Sequence, residues 1–528
     1  MRTYLRGAAV VFAATLVLTA CQGAEQQPPP EADQTFTYAT GSEVIVGWDP
    51  ATENSNSIVA LSNVYETLTF YNAQTQEPDP LLATEWSTSA DGLQWSFTIQ
   101  PDVTFHTGRT MTGEDVKASI DRTIELGQGA SYIWSAVKSI EAPDAETVVF
   151  NLRYPAPVDL IASAGYAAYV YDTEAAGGVD LNEWFEEGHE SGTGPYTLDE
   201  WNPGQEIELR LKAHRDYWRG WDGAHYQRVV YRVVPEATTA AQLLRSDQVS
   251  FVERTTPQLF DTFRDDPNFT TVEASSWQNL LGLLNTQSGP LADPIVRQAI
   301  SYAIDYEGIL TALKGAVAPS RGVVPPGLWG HHDDLPIYTH DPQRAEQLLQ
   351  QAGYGPGGNP MDLTLTYTQG DSDEQLVASI IKSNLVELNV NVDVRGLQWQ
   401  TQWSKGKSSN PEERQDIFVF YWWPDYADPI SWFANLFHCE DKVFFNLSYY
   451  CNGSLDKQID TVGTFAAIDR DRAIEMYRDM QTTLLEDAPA LTLYNQNYQH
   501  AMLSSVGGFE ENPAYPNVAF VYELQPQG

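Results

Sequence analysis

A strand, a helix and a second strand follow one another between residues 361 and 397, and no other feature constrains the fold as strongly. The strands are MDLTLTY and NVNVDVRGL, and the helix between them is DEQLVASIIKSNLVEL. Two strands joined by a helix lie parallel in one sheet, with a right-handed crossover. The sequence therefore predicts an α/β fold with a parallel sheet in this region.

The elements outside this unit change in character along the chain. Strand patterns dominate the first half: FTYAT, EVIVGW, QWSFTIQ, TVVFNLR, YTLDEW, EIELRLKA and RVVYRVV, interrupted by the helix GEDVKASIDRTIEL. From Asp293 onward helices prevail: DPIVRQAISYAIDYEGILTAL opens at Pro294, and DPQRAEQLLQQAGY and DRDRAIEMYRDMQTTLLEDAP follow, before the strand ALTLYNQ. A chain of 528 residues with two such textures predicts two lobes.

The N-terminus has the features of an export signal. Arg2 and Arg6 precede an apolar run from Ala8 to Ala20, and the run ends at LTAC. The run has about 13 apolar residues, against roughly 20 for a membrane span. We expect a signal peptide over residues 1–20, lipidation of Cys21 and a flexible Pro- and Gln-rich tether over 21–35. An ordinary signal peptide with a chance cysteine is the alternative.

The charge of the chain limits its partners. There are 71 acidic and 30 basic residues, giving a net charge of -41. Such a surface repels nucleic acid and anionic lipid headgroups. We therefore expect no nucleic-acid partner, and contact with the membrane only through the lipid anchor.

Two cysteines remain in the mature chain, Cys439 and Cys451. In an exported protein such a pair favours one disulfide. A metal site is the weaker alternative, because no histidine stands at ligand spacing.

Fragments of catalytic motifs occur, but their surroundings do not suit catalysis. GKSS at 406–409 lacks the first glycine of a phosphate loop, and Gly353, Gly355 and Gly358 follow a helix instead of a strand. The HHDD segment at 331–334 reads as a solvated loop, and GxSxG and HExxH do not occur. We predict a protein without catalytic residues, cofactor or metal.

Seven blocks, in order, resemble the extracytoplasmic solute-binding proteins of peptide, dipeptide and nickel ABC importers, family 5. Among them are WDPA at 48–51, GTGPYTL at 192–198, DPIVRQAISYAID, DYADP and EDAPALTLYN. The resemblance implies a two-lobe, flytrap-like periplasmic-binding-protein fold with mixed sheets and hinge strands. It places lobe 1 at 36–285 plus 495–528, with an extra subdomain at about 75–190, and lobe 2 at 286–494.

The resemblance also implies a binding site around YWWPDYADP. Asp425 matches the aspartate that binds the α-ammonium group of a peptide, and Tyr421 to Trp423 match the stretch whose backbone pairs with the peptide. Asp428, before Pro429, is expected to cap the next helix. The complete set of expected ligand contacts is Asp425, Trp422, Trp423, Tyr421, Asn54, Glu53, Trp277 and Tyr132.

The expected function is capture of extracellular oligopeptides by a lipid-anchored monomer that delivers them to the permease subunits of an ABC importer. Dipeptide binders of this family carry an arginine in the segment matching LTLTYTQGDSDEQ, which has none here, so longer peptides are favoured. Arg321 or Arg395 could substitute. The alternatives are another solute, namely a dipeptide, nickel chelate or oligosaccharide, and more remotely a secreted hydrolase.

Overall fold

The computed structural model describes residues 35–45, 47–53 and 56–527. The strands are β1 Thr35–Thr40, β2 Thr69–Asn72, β3 Glu77–Pro80, β4 Ala83–Thr88, β5 Gln94–Ile99, β6 Val137–Asp144, β7 Thr147–Leu152, β8 Tyr196–Trp201, β9 Ile207–Ala213, β10 Arg228–Val233, β11 Phe251–Val252, β12 Phe269–Leu284, β13 Val317–Ala318, β14 Met361–Thr368, β15 Val390–Leu397, β16 Ile417–Trp422, β17 Ala490–Leu503, β18 Val506–Gly507 and β19 Gln525–Pro526.

The helices are α1 Ile58–Leu61, α2 Gly113–Leu126, α3 Val158–Ile161, α4 Leu181–Glu186, α5 Ala237–Arg245, α6 Pro257–Arg264, α7 Pro294–Ala303, α8 Tyr306–Leu313, α9 Pro342–Gln351, α10 Ser372–Val386, α11 Trp399–Gly406, α12 Ile430–Leu436, α13 Gly453–Ile468 and α14 Arg470–Asp487. The predicted signal peptide, Cys21 and the tether up to residue 34 lie outside the described residues. Thr35, the last residue of the predicted tether, begins β1.

One mixed sheet runs through the molecule in the order β15-β14-β16-β12-β17-β11-β1-β10-β9-β8, and β13 pairs with β17 beside this path. The predicted strand–helix–strand unit is confirmed, since β14 and β15 pair in parallel from Met361↔Val390 to Thr368↔Leu397. Helix α10 connects them and buries Val377 and Ile381. The apolar face of α10 thus covers the parallel part of the sheet.

Two long strands cross the centre of this sheet. They are β12, with 16 residues, and β17, with 14 residues. The second half of β12 pairs with β16, whereas the end of β17 pairs with β11. The two strands pair with each other, with irregularities between Ser275 and Asn279 and between Leu280 and Leu281. They therefore join the end of the sheet with β1 and β8–β11 to the end with β13–β16.

A separate four-stranded antiparallel sheet has the order β4-β5-β7-β6. Helix α2 packs against β6 and β7. The predicted start of α2 is confirmed, because Asp115 accepts hydrogen bonds from the amide and hydroxyl of Thr112, both at 2.8 Å. This sheet lies within the residues predicted to form the extra subdomain, whose limits stay a prediction.

Two sequence-based assignments are wrong in detail. The segment EVIVGW is irregular where it is described, because the amides of Val44 and Ile45 bind the Glu208 carboxylate at 2.8 and 3.1 Å instead of a neighbouring strand. The segment after Asp293 forms two helices, because Asp305 interrupts the first and caps the second by accepting from the amide of Gly308 at 2.9 Å.

The predicted disulfide between Cys439 and Cys451 is present. Within the described part of the chain, the one group of three side chains close enough to hold a metal is Cys439, Cys451 and Asp456. The disulfide removes both thiolates as ligands. This pair therefore serves as a covalent link, and the alternative of a metal site receives no support here.

Candidate ligand-binding cleft

The edge of β16 is only partly covered by a neighbouring strand. On one side β12 pairs with it from Ile417 to Trp422, whereas on the other side, in the described residues, β14 pairs with Ile417 and Phe418 alone. The Gln402 side chain then binds the carbonyl of Val419 at 2.9 Å. Backbone groups of alternate residues point to the same side of a strand. Those of Tyr421 therefore face the edge that β14 leaves uncovered.

Asp425 follows this edge after Trp423 and Pro424, and its side chain is half-buried. Its Oδ1 accepts a hydrogen bond from the Tyr132 hydroxyl at 2.6 Å. Its Oδ2 accepts from the Ser431 hydroxyl at 3.2 Å and from the Asn435 amide at 3.4 Å. All three donors are neutral groups.

The carboxylate of Asp425 has no positive partner in the part of the chain that the structure describes. Burial raises the pKa of Asp425, and the hydrogen bonds from Tyr132, Ser431 and Asn435 oppose this rise without cancelling it. Among the described residues, no Lys, Arg or His forms an ion pair with it. A half-buried carboxylate without a cation is an unfavourable arrangement that a cationic ligand would relieve.

The bond between Tyr132 and Asp425 joins distant parts of the chain. Tyr132 lies in a short 3-10 helix, Ser131–Trp134, between α2 and β6, and its side chain is 37% exposed. Burial, and then the charge of Asp425, raises the pKa of the Tyr132 hydroxyl. The hydroxyl is therefore a stable donor toward the carboxylate at neutral pH.

The three aromatic residues before Asp425 have different surroundings. Trp422 is 9% exposed and donates through Nε1 to the Ser431 hydroxyl at 3.3 Å, so it supports a partner of Asp425. The Tyr421 hydroxyl instead binds that of Tyr494 at 2.7 Å. Trp423 is half-buried and lies beside the hydroxyl of Tyr166.

Two other expected contacts, Glu53 and Trp277, have partners other than Asp425 in the described structure. Glu53 accepts from the Ser57 hydroxyl at 2.6 Å. Trp277 is 1% exposed and its ring packs edge-on against Tyr71, with ring centroids 5.5 Å apart. Asn54 lies outside the described residues. The structure thus brings together Asp425, Tyr132 and, through Ser431, Trp422.

A cavity of about 690 Å³ opens at the Asp425 carboxylate. One wall comes from residues 132–161 and the opposite wall from residues 425–463. All three hydrogen-bond donors to Asp425 line it. The volume lies within the range of about 300–1,000 Å³ that is usual for small-molecule pockets.

Asp428 lies one position before the N-cap of α12, because this helix begins at Ile430 and Pro429 is its N-cap, so the predicted capping position is wrong by one residue. Its Oδ1 accepts from the amide of Ile430, the first residue of α12, at 2.8 Å and from the Tyr477 hydroxyl at 2.5 Å. Its side chain lines the cavity, and Oδ2 is buried without a hydrogen-bond partner among the described residues. Burial raises the pKa of Asp428 to about 6.

Sequence reasoning missed Ser431 and Asn435 as partners of Asp425. These residues are four positions apart on α12 and share one helix face. Since the helix begins directly after the motif, two polar residues at this spacing are a signal that could have found them. Tyr166 carries no such signal, because its closeness to Trp423 arises from the tertiary fold.

Residues 77–444 match the sequence model described as bacterial extracellular solute-binding proteins, family 5, middle. Over 443 residues, the chain is 28% identical to the probable D,D-dipeptide-binding periplasmic protein DdpA of Escherichia coli K12, and the alignment covers 83% of each chain.

Two solved structures share the fold. A DppA protein from Helicobacter pylori, in complex with the peptide STSA, superimposes with a TM-score of 0.79 at 23% identity, covering 94% of this chain and 99% of that one. NikA from Brucella suis, in complex with Fe(III)-EDTA, gives 0.81 at 20% identity, covering 93% and 100%. These matches confirm the predicted two-lobe periplasmic-binding-protein fold.

Proposed function

Because this chain belongs to the family 5 bacterial extracellular solute-binding proteins, we propose that it captures oligopeptides in the cleft at Asp425 and delivers them to an ABC importer. The family comprises solute-binding proteins, which supports the prediction that the chain is not an enzyme. The observation that carries the peptide assignment is the half-buried Asp425 carboxylate without a cation, next to an uncovered strand edge.

The α-ammonium group of a peptide would supply the missing positive charge. The ammonium group can donate hydrogen bonds to the Asp425 carboxylate, which three neutral donors already hold in place. Water leaves as the cleft closes, which strengthens the ion pair. A cleft that closes without ligand leaves the Asp425 charge unpaired, so closure is coupled to the presence of the ammonium group.

The peptide backbone would then add as a strand to the edge that β14 leaves uncovered. Main-chain hydrogen bonds to Tyr421 and Trp423 read the length and direction of the ligand and leave side chains free. This mode accepts many sequences, as a nutrient-capturing protein requires.

Longer peptides fit the cleft better than dipeptides. The segment after β14 carries Asp371 and Asp373 and no arginine of its own, and the neighbouring Arg254 is paired with Asp373 at 3.2 Å. Arg395, one candidate substitute, is engaged by Asp393 at 2.6 Å. The carboxyl end of a longer peptide reaches past this acidic segment.

The crossing strands β12 and β17 would act as the hinge between the lobes, with the limits predicted from the sequence: 36–285 plus 495–528, and 286–494. Closure about such strands is a common mechanism of ligand capture. The pairing irregularity between Ser275 and Asn279 lies within this connection, and the left-handed backbone of Trp277 (φ 53) belongs to it.

Attachment to the membrane through a lipid on Cys21 is part of this proposal. No helix within the described residues is long and apolar enough to cross a membrane. A lipid at the end of a tether would hold the binding protein close to the permease subunits.

Two measurements test the peptide assignment. Denaturing the freshly purified protein should release a set of short peptides, which mass spectrometry identifies. Calorimetry should then show that Ala-Ala-Ala-Ala binds and that its N-acetylated form, which has no ammonium group, binds at least tenfold more weakly.

Two outcomes would refute the proposal. One is the release of sugars or a nickel chelate in place of peptides. The other is equal affinity for the free and acetylated tetrapeptide, since that would leave Asp425 without a role in the site. Hydrolysis of the peptide during titration would instead support the remote alternative of a hydrolase.

A further inference from the structure

The cavity at Asp425 is lined by negative charge. Asp425, Asp428 and Asp460 contribute three carboxylates, and no lysine or arginine of the described residues lines the cavity. Its one histidine, His438, lies 3.2 Å from Asp460. One ammonium group bound at Asp425 would leave the cavity negative.

One of these three carboxylates, that of Asp428, is almost fully buried. Its side chain is 1% exposed, and the buried Oδ2 has no partner among the described residues. Buried carboxylate oxygens in folded proteins are normally hydrogen-bonded. Because Oδ2 has no accessible surface, a ligand does not contact it directly, and Asp428 instead adds its negative charge to the wall of the cavity. The charge of Arg470 acts on Asp428, but Arg470 forms its ion pair with Asp159 at 3.5 Å.

We propose that this cavity selects peptides whose first side chain is cationic, a lysine or an arginine. The inference depends on the proposed function, in which the α-ammonium group binds Asp425. The first side chain is attached to the same Cα as that group, so it is the part of the ligand nearest to the cavity.

The walls suit such a side chain along its whole length. Pro155, Pro157, Ile161 and Ile459 supply apolar surface for the methylene stem. Asp460 lies at the cavity and is 69% exposed, so a charged head can reach it while remaining hydrated. Neutral side chains would gain the apolar contact alone, and acidic ones would be repelled by three carboxylates.

The test compares four tetrapeptides by calorimetry at low salt: Lys-Ala-Ala-Ala, norleucine-Ala-Ala-Ala, Ala-Ala-Ala-Ala and Glu-Ala-Ala-Ala. Norleucine has the stem of lysine without its charge. We expect the lysine peptide to bind about tenfold more tightly than the norleucine peptide, and the glutamate peptide to bind most weakly. The advantage of lysine should shrink in 0.5 M salt because the rim of the cavity is hydrated.

Asp460→Asn should reduce the lysine-to-norleucine ratio about threefold, the size expected for one partly exposed charge. Its side chain is exposed, so the fold should survive, which circular dichroism can verify. Asp393→Asn is a matched control: Asp393 is 56% exposed, lies in β15 and does not line the cavity, so the ratio should not change.

Equal affinities for the lysine, norleucine and glutamate peptides would overturn this inference while leaving the proposed function intact. If none of the four peptides binds, the proposed function itself fails. A lysine preference that Asp460→Asn leaves unchanged, with Asp428→Asn also without effect, would place the selectivity outside this cavity and likewise overturn the inference.

Discussion

Replacing Asp425 with Asn tests the ammonium site without changing the size of the side chain. In Asp425→Asn, the amide oxygen can still accept from Ser431 and Asn435, and the amide nitrogen can donate to the Tyr132 hydroxyl. The local packing is therefore kept, and the negative charge alone is lost.

The expected loss of affinity follows from the contact that is removed. A hydrogen bond between charged groups contributes about 1.5–3 kcal/mol. That free energy corresponds to a rise in Kd of roughly 10- to 150-fold. The free energy of unfolding of the empty protein should rise slightly or stay the same. Burial already raises the pKa of Asp425 and so disfavours its charge in the empty protein.

Calorimetry with a tetrapeptide and thermal unfolding with and without it check both effects. The variant should keep or slightly raise the unfolding temperature of the empty protein, and it should lose most of the increase that ligand produces in the wild type. An affinity within threefold of wild type would refute the assignment of Asp425. A variant that unfolds at much lower temperature would instead show that the carboxylate is a structural group.

Three further predictions concern stability. Arg470→Met should destabilise the protein by about 2–3 kcal/mol in denaturant unfolding, because Asp159 is then buried without a cation; adding Asp159→Asn should recover most of this. Cys439→Ser should cost about 2–3 kcal/mol, and added reductant should have no further effect on this variant. The raised pKa of Asp428, about 6, means that the folded state binds the proton more tightly, so stability should fall as pH rises from about 4 to 6. Asp428→Asn should flatten this pH dependence, and an unchanged slope would contradict the reasoning.

The strand–helix–strand unit could be predicted because its information is local. The apolar positions of α10 and the alternation in β15 report on one buried face each. The caps of α2 and α9 are also local, because a cap and the amide it binds are neighbours in the chain. Local signals of this kind do not depend on distant partners.

EVIVGW shows where such reasoning fails. Its pattern favours a strand, yet the amides of Val44 and Ile45 bind Glu208, more than 160 residues away in sequence. The buried Glu208 carboxylate thus accepts hydrogen bonds that the carbonyls of a neighbouring strand would otherwise accept. No property of the segment itself indicates this partner.

The sequence by itself determined the family resemblance, the βαβ unit, the disulfide pair and Asp425 as the residue to test, since each depends on residue type and order. Only the tertiary structure decided that Asp425 meets Tyr132, 293 positions away, without a cation, and that Asp428 and Asp460 share its cavity. The physical reason is that burial and charge balance depend on all the groups that folding brings around an atom, and those groups come from distant parts of the chain.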